Sequence, residues 1–128
     1  MTGRTFTLTV PAPCAFINAN DRGSWHKKAK LTRLWRDAAH VAALHGQLPK
    51  ALGHVRIVAT VHKTSPNRFD AGNWYGTAKA CVDGLVDSGV LTGDDNTRVT
   101  GPDMRAGARS VKARLVLTIT ETDPTEGA

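Results

Sequence analysis

Long apolar runs are missing from this 128-residue chain. No stretch approaches the roughly 20 consecutive apolar residues that a membrane-spanning helix needs. The first 14 residues also lack the apolar segment of a signal peptide. The sequence therefore predicts a protein without a membrane segment, and we expect it in the cytoplasm. A chain of this length is expected to form one domain with one core.

Cysteine and aromatic residues are scarce. Cys14 and Cys81 are the two cysteines, and neither has a CxxC partner or the spacing of a zinc site. One disulfide is arithmetically possible, but reduced thiols are expected in the cytoplasm. Aromatic residues make up 5% of the chain, which argues against a sheet that stacks RNA bases.

Acidic residues are almost missing from the first half of the chain. Residues 1–69 carry eleven lysines and arginines against two aspartates, whereas residues 70–128 carry six against nine acidic residues. The net charge of +6 is therefore the sum of a basic half and an acidic half. This division favours a polyanion-binding protein with a metal site. An ordinary basic surface, or a structural protein that binds RNA or a protein partner, remains the alternative.

Hydrophobic periodicity predicts a small α+β domain over residues 1–122, with a flexible tail at 123–128. Alternating apolar residues predict strands at 5–10, 55–62 and 111–119. Helical spacing predicts one helix over 25–45, capped by Ser24 and ended by Gly46. Its predicted inward residues are Leu31, Leu34, Trp35, Ala38, Val41 and Ala42.

The second half of the chain completes this prediction. A second helix is expected over residues 73–87, with Ala78, Val82, Leu85 and Val86 inward and Gly89 at its end. A turn over 90–96 and a short strand at 97–99 should follow. The order of elements predicts helices packed on a small mixed sheet. Such a sheet leaves a face or edge exposed, which a second copy of the chain could cover.

Residues 67–96 contain five of the eleven acidic residues of the chain. Asp70 precedes the second predicted helix, and Asp94 and Asp95 follow it. Carboxylates are the ligands that Mg²⁺ prefers, and bound Mg²⁺ can assist phosphodiester hydrolysis. The two ends of the helix can cooperate only if the chain folds back. Lys79 lies inside the helix with aspartates four and eight residues later. Taken alone, this spacing favours a solvated face with an i,i+4 ion pair.

The pattern DAGN, then Lys79, then VDGLVDSGVL and an Asp-Asp pair resembles the RusA family of Holliday-junction resolvases. The resemblance is strongest over residues 67–99 and extends more weakly over about 110 residues. It implies a RusA-like α+β fold and a homodimeric, Mg²⁺-dependent endonuclease that nicks four-way DNA junctions symmetrically. It also implies catalytic roles for Asp70, Lys79 and Asp95, with metal ligands drawn from Asp70, Asp94 and Asp95.

The chain departs from this family pattern at Gly72. The family motif has a second aspartate at that position, and glycine cannot bind a metal through a side chain. We therefore expect weakened Mg²⁺ binding, with Mn²⁺ as a possible substitute. The alternative is a relative that binds junctions with little or no cutting.

Basic residues in several segments are candidates for contacts with DNA phosphates. The predicted DNA-binding residues are Arg22, Lys27, Lys28, Lys30, Arg33, Arg68 and Arg98. Trp74 and Tyr75 could stack on bases, although core or interface packing is the favoured interpretation of both.

Overall fold

The computed structural model describes residues 3–20, 23–95 and 97–122. Arg22, Asn96 and the predicted tail at 123–128 lie outside these ranges. The elements, in chain order, are β1 (Thr5–Pro11), α1 (Trp25–His45), β2 (Val55–His62), a 3-10 turn (Ala71–Trp74), α2 (Tyr75–Asp87), β3 (Val99–Ala106) and β4 (Arg114–Glu121). No helix within the described ranges is both long and apolar enough to cross a membrane.

The four strands form one mixed sheet in the order β1-β4-β2-β3. β4 pairs antiparallel with both β1 and β2, whereas β3 pairs parallel with β2. The parallel pair needs a crossover connection, and α2 supplies it. The predicted class, α+β with two main helices on a small mixed sheet, is confirmed.

The core lies between the helices and one face of the sheet. On β2 and β4 the alternating residues at positions 55, 57, 59 and 61 and at 115, 117 and 119 are fully buried. Each large side chain of this kind contributes about 1.5–3 kcal/mol on burial. The intervening residues, such as Thr60 and Thr118, lie half-buried on the opposite face. Among the described residues, no helix covers that opposite face.

Helix α1 begins as predicted and turns four of its six predicted inward residues toward the core. Ser24 Oγ accepts a hydrogen bond from the Lys27 N–H at 3.2 Å, which is the predicted N-cap. The fully buried residues are Trp35, Ala39 and Ala43, with Leu31, Ala38 and Ala42 partly buried. The predicted inward residues Leu34 and Val41 are instead 36% and 53% exposed, so that part of the prediction is wrong.

Helix α1 packs closely against α2 on the side away from Leu34 and Val41. A Cβ atom at Gly84 would lie 2.4 Å from the carbonyl oxygen of Arg36 and 2.9 Å from the Ala39 Cβ. The two helices therefore meet through small residues, and Leu34 and Val41 are left on the outer side. Apolar spacing along a helix predicts which residues could face inward. It does not predict which of them lie against a glycine of the other helix. On α2 itself the predicted inward residues are buried, except Val86, which is partly buried.

The prediction was wrong about β3. This strand occupies Val99–Ala106 rather than residues 97–99, and Thr97 lies in the preceding turn. Gly101 and Pro102 interrupt its apolar alternation, and the pairing with β2 shifts register between Arg56 and Val58. Gly101 has φ of +106°, and a Cβ there would lie 2.5 Å from the Ile57 carbonyl oxygen. Gly and Pro mark turns in a sequence, so this strand had no recognisable pattern.

The two remaining differences concern where elements begin. Strand β4 begins at Arg114 rather than near Val111, whose side chain is 96% exposed. The second predicted helix is divided, because its first residues form the 3-10 turn and α2 begins at Tyr75.

Candidate functional site

A lysine bracketed by two aspartates stands at the centre of the candidate site. Lys79 and Asp83 lie one turn apart on α2, and Lys79 Nζ donates a hydrogen bond to Asp83 Oδ1 at 2.9 Å. Lys79 Nζ also donates to Asp94 Oδ2, from the segment that follows the helix. The predicted i,i+4 ion pair is therefore present, and a third charge from outside the helix extends it.

Asp94 reaches Lys79 because the chain reverses after α2. The helix ends at Asp87 with Ser88 as its C-cap, and Gly89 adopts the left-handed conformation with φ of +86°, which glycine accepts without strain. Val90 and Leu91 then pack into the core, and their N–H groups donate to the Leu85 carbonyl oxygen at 3.1 and 3.3 Å. These contacts direct the next residues back along α2. The fold-back that the site requires is thus present.

Hydrogen bonding fixes the charge states of this cluster. The hydrogen bond from the Lys79 ammonium, together with its positive charge, lowers the pKa of the Asp94 carboxyl. Partial desolvation acts to lower the pKa of Lys79, but hydrogen bonds to Asp94 and Asp83 outweigh it and raise that pKa above its ordinary value. At neutral pH Lys79 is therefore an ammonium and Asp94 a carboxylate.

Asp95 shapes the turn beside this cluster. Its Oδ1 accepts hydrogen bonds from the Thr97 N–H at 2.9 Å and from the Thr97 hydroxyl. These two bonds lower the pKa of the Asp95 carboxyl, and the charge of nearby Arg98 lowers it further. Asp95 is therefore an exposed carboxylate whose orientation is fixed by an Asx-type turn.

Asp70 lies at the start of the 3-10 turn. Its Oδ1 accepts a hydrogen bond from the Gly72 N–H at 3.0 Å, and its carbonyl oxygen accepts one from the Asn73 N–H at 3.0 Å. Gly72 does not have positive φ, and a Cβ placed there would lie 3.2 Å from Asp70 Oδ1. A side chain at position 72 would therefore begin next to the Asp70 carboxylate.

The predicted site residues meet only in part. Lys79 and Asp94 are in contact, and Asp95 follows directly in the chain. None of the hydrogen bonds or ion pairs within residues 3–20, 23–95 and 97–122 joins Asp70 to Lys79, Asp94 or Asp95. In the same ranges, no three His, Cys, Asp or Glu side chains are grouped closely enough to hold a metal ion. The donors have the chemistry that Mg²⁺ prefers, but they are not gathered around one point.

The predicted DNA-binding residues lie on exposed surfaces wherever the structure describes them. Lys27, Lys28, Lys30 and Arg33 are exposed on the first three turns of α1, and the described carboxylates form no ion pair with them. Arg68 and Arg98 are exposed near Asp70 and Asp95 respectively. Arg22 lies outside the described residues.

The aromatic candidates Trp74 and Tyr75 differ in exposure. Trp74 is 9% exposed and packs edge-on against Phe69 and Phe16, which agrees with the favoured interpretation as a core residue. Tyr75 is 45% exposed. The most exposed tryptophan is Trp25, at 71%, and the sequence prediction gave it no role. Its position next to a run of lysines is the sequence feature that could have marked it as a candidate for nucleic-acid contact.

Comparison with models of known protein families, and with curated proteins, gave no match.

Proposed function

We propose that this protein is a metal-dependent endodeoxyribonuclease of the RusA type, which binds four-way DNA junctions and resolves them by symmetric nicking. The observation that carries the proposal is the return of Asp94 to Lys79. The resemblance requires that a helix lysine and a later Asp-Asp pair act at one place. The chain reversal at Gly89 provides that contact.

Lys79 is the residue proposed to stabilise charge on the scissile phosphate. A fixed ammonium near a phosphodiester favours the transition state, where negative charge accumulates on the phosphate oxygens. Asp83 and Asp94 hold the ammonium from two sides, so its position is defined before substrate binds. Such preorganisation avoids reorienting the charged group during the reaction.

Mg²⁺, or Mn²⁺ in its place, is the proposed cofactor, held by Asp70, Asp94 and Asp95. Bound Mg²⁺ would activate water and neutralise phosphate charge. Exposed carboxylates are suitable donors for either ion. Gly72 leaves this set one carboxylate short of the family pattern.

The distribution of cations on α1 supports DNA as the ligand. The first turn of α1 contains no acidic residue, and lysines occupy positions 27, 28 and 30. Cations at the N-terminus of a helix are repelled by the positive end of its dipole. Cations spaced three residues apart also repel one another, so both effects destabilise the unbound protein. A bound polyanion would relieve this repulsion, which favours phosphate contact over an ordinary solvated surface.

Symmetric nicks require two sites related by symmetry, so we propose a twofold homodimer in the cytoplasm. The uncovered sheet face is the surface available to a second copy. Trp74 is buried in the core of the chain and is not an interface candidate. Light scattering at micromolar concentration should give the mass of a dimer, with or without junction DNA; a monomer in both cases would contradict this assembly.

The function is tested with an end-labelled four-way junction and a linear duplex of the same sequence. We expect tighter binding of the junction, and paired nicks in Mg²⁺ or Mn²⁺ but not in chelator. Cleavage that continues in chelator would rule out a metal-dependent mechanism.

A second candidate is a junction-binding protein with little or no cutting activity. Gly72 and the scattered carboxylates favour it, because both reduce the ligands available to one metal ion. Tight junction binding without nicks at any Mg²⁺ or Mn²⁺ concentration would select this candidate.

A further inference from the structure

Trp25 is an exposed aromatic residue in a cationic setting. Its indole is stacked on the His26 ring, with centroids 3.8 Å apart and planes inclined by 28°. The side chain is nevertheless 71% exposed, so one face of the indole rests on His26 and the other faces solvent. Trp35 and Trp74, in contrast, are 0% and 9% exposed.

The cavity beside Trp25 is lined with groups that suit a nucleotide. Its volume is about 230 Å³, and its lining residues with polar or charged side chains are Asn18, Ser24, Lys27 and Lys28. The ammonium groups of Lys27 and Lys28 form no ion pair with any described carboxylate. An aromatic face next to unpaired cations is the combination that binds single-stranded nucleic acids, where bases stack and phosphates are neutralised.

This surface borders the segment that carries Asp70. Ile17 lines the cavity, and its N–H donates to Thr77 Oγ1 at the start of α2 at 2.8 Å. Two residues later the Ala19 N–H donates to the Asn73 carbonyl oxygen at 2.8 Å, and the Asn73 N–H donates to the Asp70 carbonyl oxygen. A strand held at Trp25 would therefore lie on the same end of the molecule as Asp70.

We propose that Trp25, supported by His26, stacks on an unpaired DNA base whose neighbouring phosphates contact Lys27 and Lys28. The inference rests on the proposed function and extends it, since it names the feature of branched DNA that the protein recognises. Bases inside a duplex have both faces occupied by neighbouring bases. Trp25 would accordingly contribute to binding of junctions and single strands and add nothing for linear duplex.

Tryptophan fluorescence tests the stacking directly, because Trp25 is the one tryptophan that solvent reaches easily. The probes are a short oligothymidylate and an abasic oligonucleotide of the same length, which keeps the phosphates and lacks the bases. Oligothymidylate should quench the fluorescence of the wild-type protein, and the abasic strand should not. Trp25→Phe should remove the quenching while keeping part of the affinity.

Binding affinities provide the second measurement. Trp25→Ala should weaken binding of oligothymidylate and of the junction by about tenfold, the equivalent of about 1.4 kcal/mol, and leave duplex binding unchanged. Leu44→Ala is the matched control, since Leu44 is an exposed apolar residue at the other end of α1. Circular dichroism and thermal melting of both alanine variants should match the wild type.

Three results would overturn the inference. Equal affinity for oligothymidylate and abasic strand, with junction binding intact, would refute base stacking and leave the proposed function standing. A change from dimer to monomer in Trp25→Ala would assign the residue to a protein interface. Failure of the wild-type protein to bind any DNA would refute the proposed function together with this inference.

Discussion

The cations of α1 and the cation of α2 are in opposite situations. Lys27, Lys28, Lys30 and Arg33 point into solvent without carboxylate partners among the described residues, whereas Lys79 is held by Asp83 and Asp94. Unpaired cations in a row repel one another and are available to a polyanion. A cation between two carboxylates is fixed in place. Under the proposed function, α1 would provide affinity for DNA and the surroundings of α2 would provide the chemistry.

Of the variants considered, Lys79→Ala should have the largest effect on cleavage. Cleavage of the junction should fall roughly 100-fold or more, because a fixed charge near the phosphate is lost, while junction binding stays close to that of the wild type. Single-turnover cleavage and equilibrium binding should be measured side by side. Asp70→Asn and Asp95→Asn should likewise lose cutting and keep binding.

Arg36→Ala is the control for loss of a paired cation. Arg36 donates two hydrogen bonds to Asp87, at 2.6 and 2.8 Å, on the side of α2 that packs against α1. Its replacement should lower the melting temperature slightly and leave the cleavage rate near wild type. If Arg36→Ala and Lys79→Ala lost cleavage equally, Lys79 would have no special role.

Gly72→Asp tests whether position 72 faces the proposed metal site. A side chain at position 72 begins 3.2 Å from Asp70 Oδ1, so the two carboxylates could bind one metal ion. Cleavage at limiting Mg²⁺ should rise several-fold, since a hard cation gains most from anionic oxygens. The backbone at Gly72 is not left-handed, so no φ strain opposes the change.

The matched variant is Gly72→Asn, which has nearly the same shape without the charge. It should not increase cleavage at low Mg²⁺, and the melting temperatures of both variants should be compared. A folded Gly72→Asp protein that cuts no better than wild type would mean that position 72 does not face the metal.

Lys27→Glu should stabilise the folded protein and weaken its binding to junction DNA. Residue 27 is the third position of α1 after the Ser24 cap, and glutamate there completes a capping box and favours the positive helix end. Unfolding free energy should rise by about 0.3–1 kcal/mol. Junction binding should weaken, and the slope of log K against log salt should fall by about 0.9 or more.

Lys27→Gln separates the two effects of that substitution. It removes the positive charge without adding a carboxylate, so it should weaken binding less and stabilise less. An unchanged salt slope in both variants would show that Lys27 does not contact phosphate.

The pH dependence of stability should show the smallest effect. The pKa of Asp94 is lowered from an ordinary value near 3.8, so its stabilisation is present above that value and is lost as the pH falls through the folded-state pKa. The pKa of Lys79 is raised from 10.5, so its contribution is complete below 10.5 and is lost as the pH rises through the folded-state value.

Asp94→Asn tests the pH range over which Asp94 stabilises the folded protein. The melting temperature of wild type should exceed that of the variant at pH 7, and the difference should shrink below about pH 3.8. A difference that stays constant into acid would mean that the Lys79–Asp94 pair does not contribute to stability.

Local patterns in the sequence determined a large part of this fold. The alternation in β2 and β4, the helical spacing of α1 and the Ser24 cap were each visible, because strand and helix periods follow from backbone geometry alone. The i,i+4 spacing of Lys79 and Asp83 was visible for the same reason. The departure at Gly72 also required no coordinates.

Only the tertiary structure decided which of these features meet. The inward face of α1 depends on Gly84 of the other helix, and the extent of β3 depends on pairing with β2 across Gly101 and Pro102. The return of Asp94 to Lys79 depends on the burial of Val90 and Leu91 after Gly89. Burial of Trp74 and exposure of Trp25 follow from the same packing. Contacts between residues far apart in the chain depend on which surfaces pack together, and periodicity within one segment contains no information about its partner.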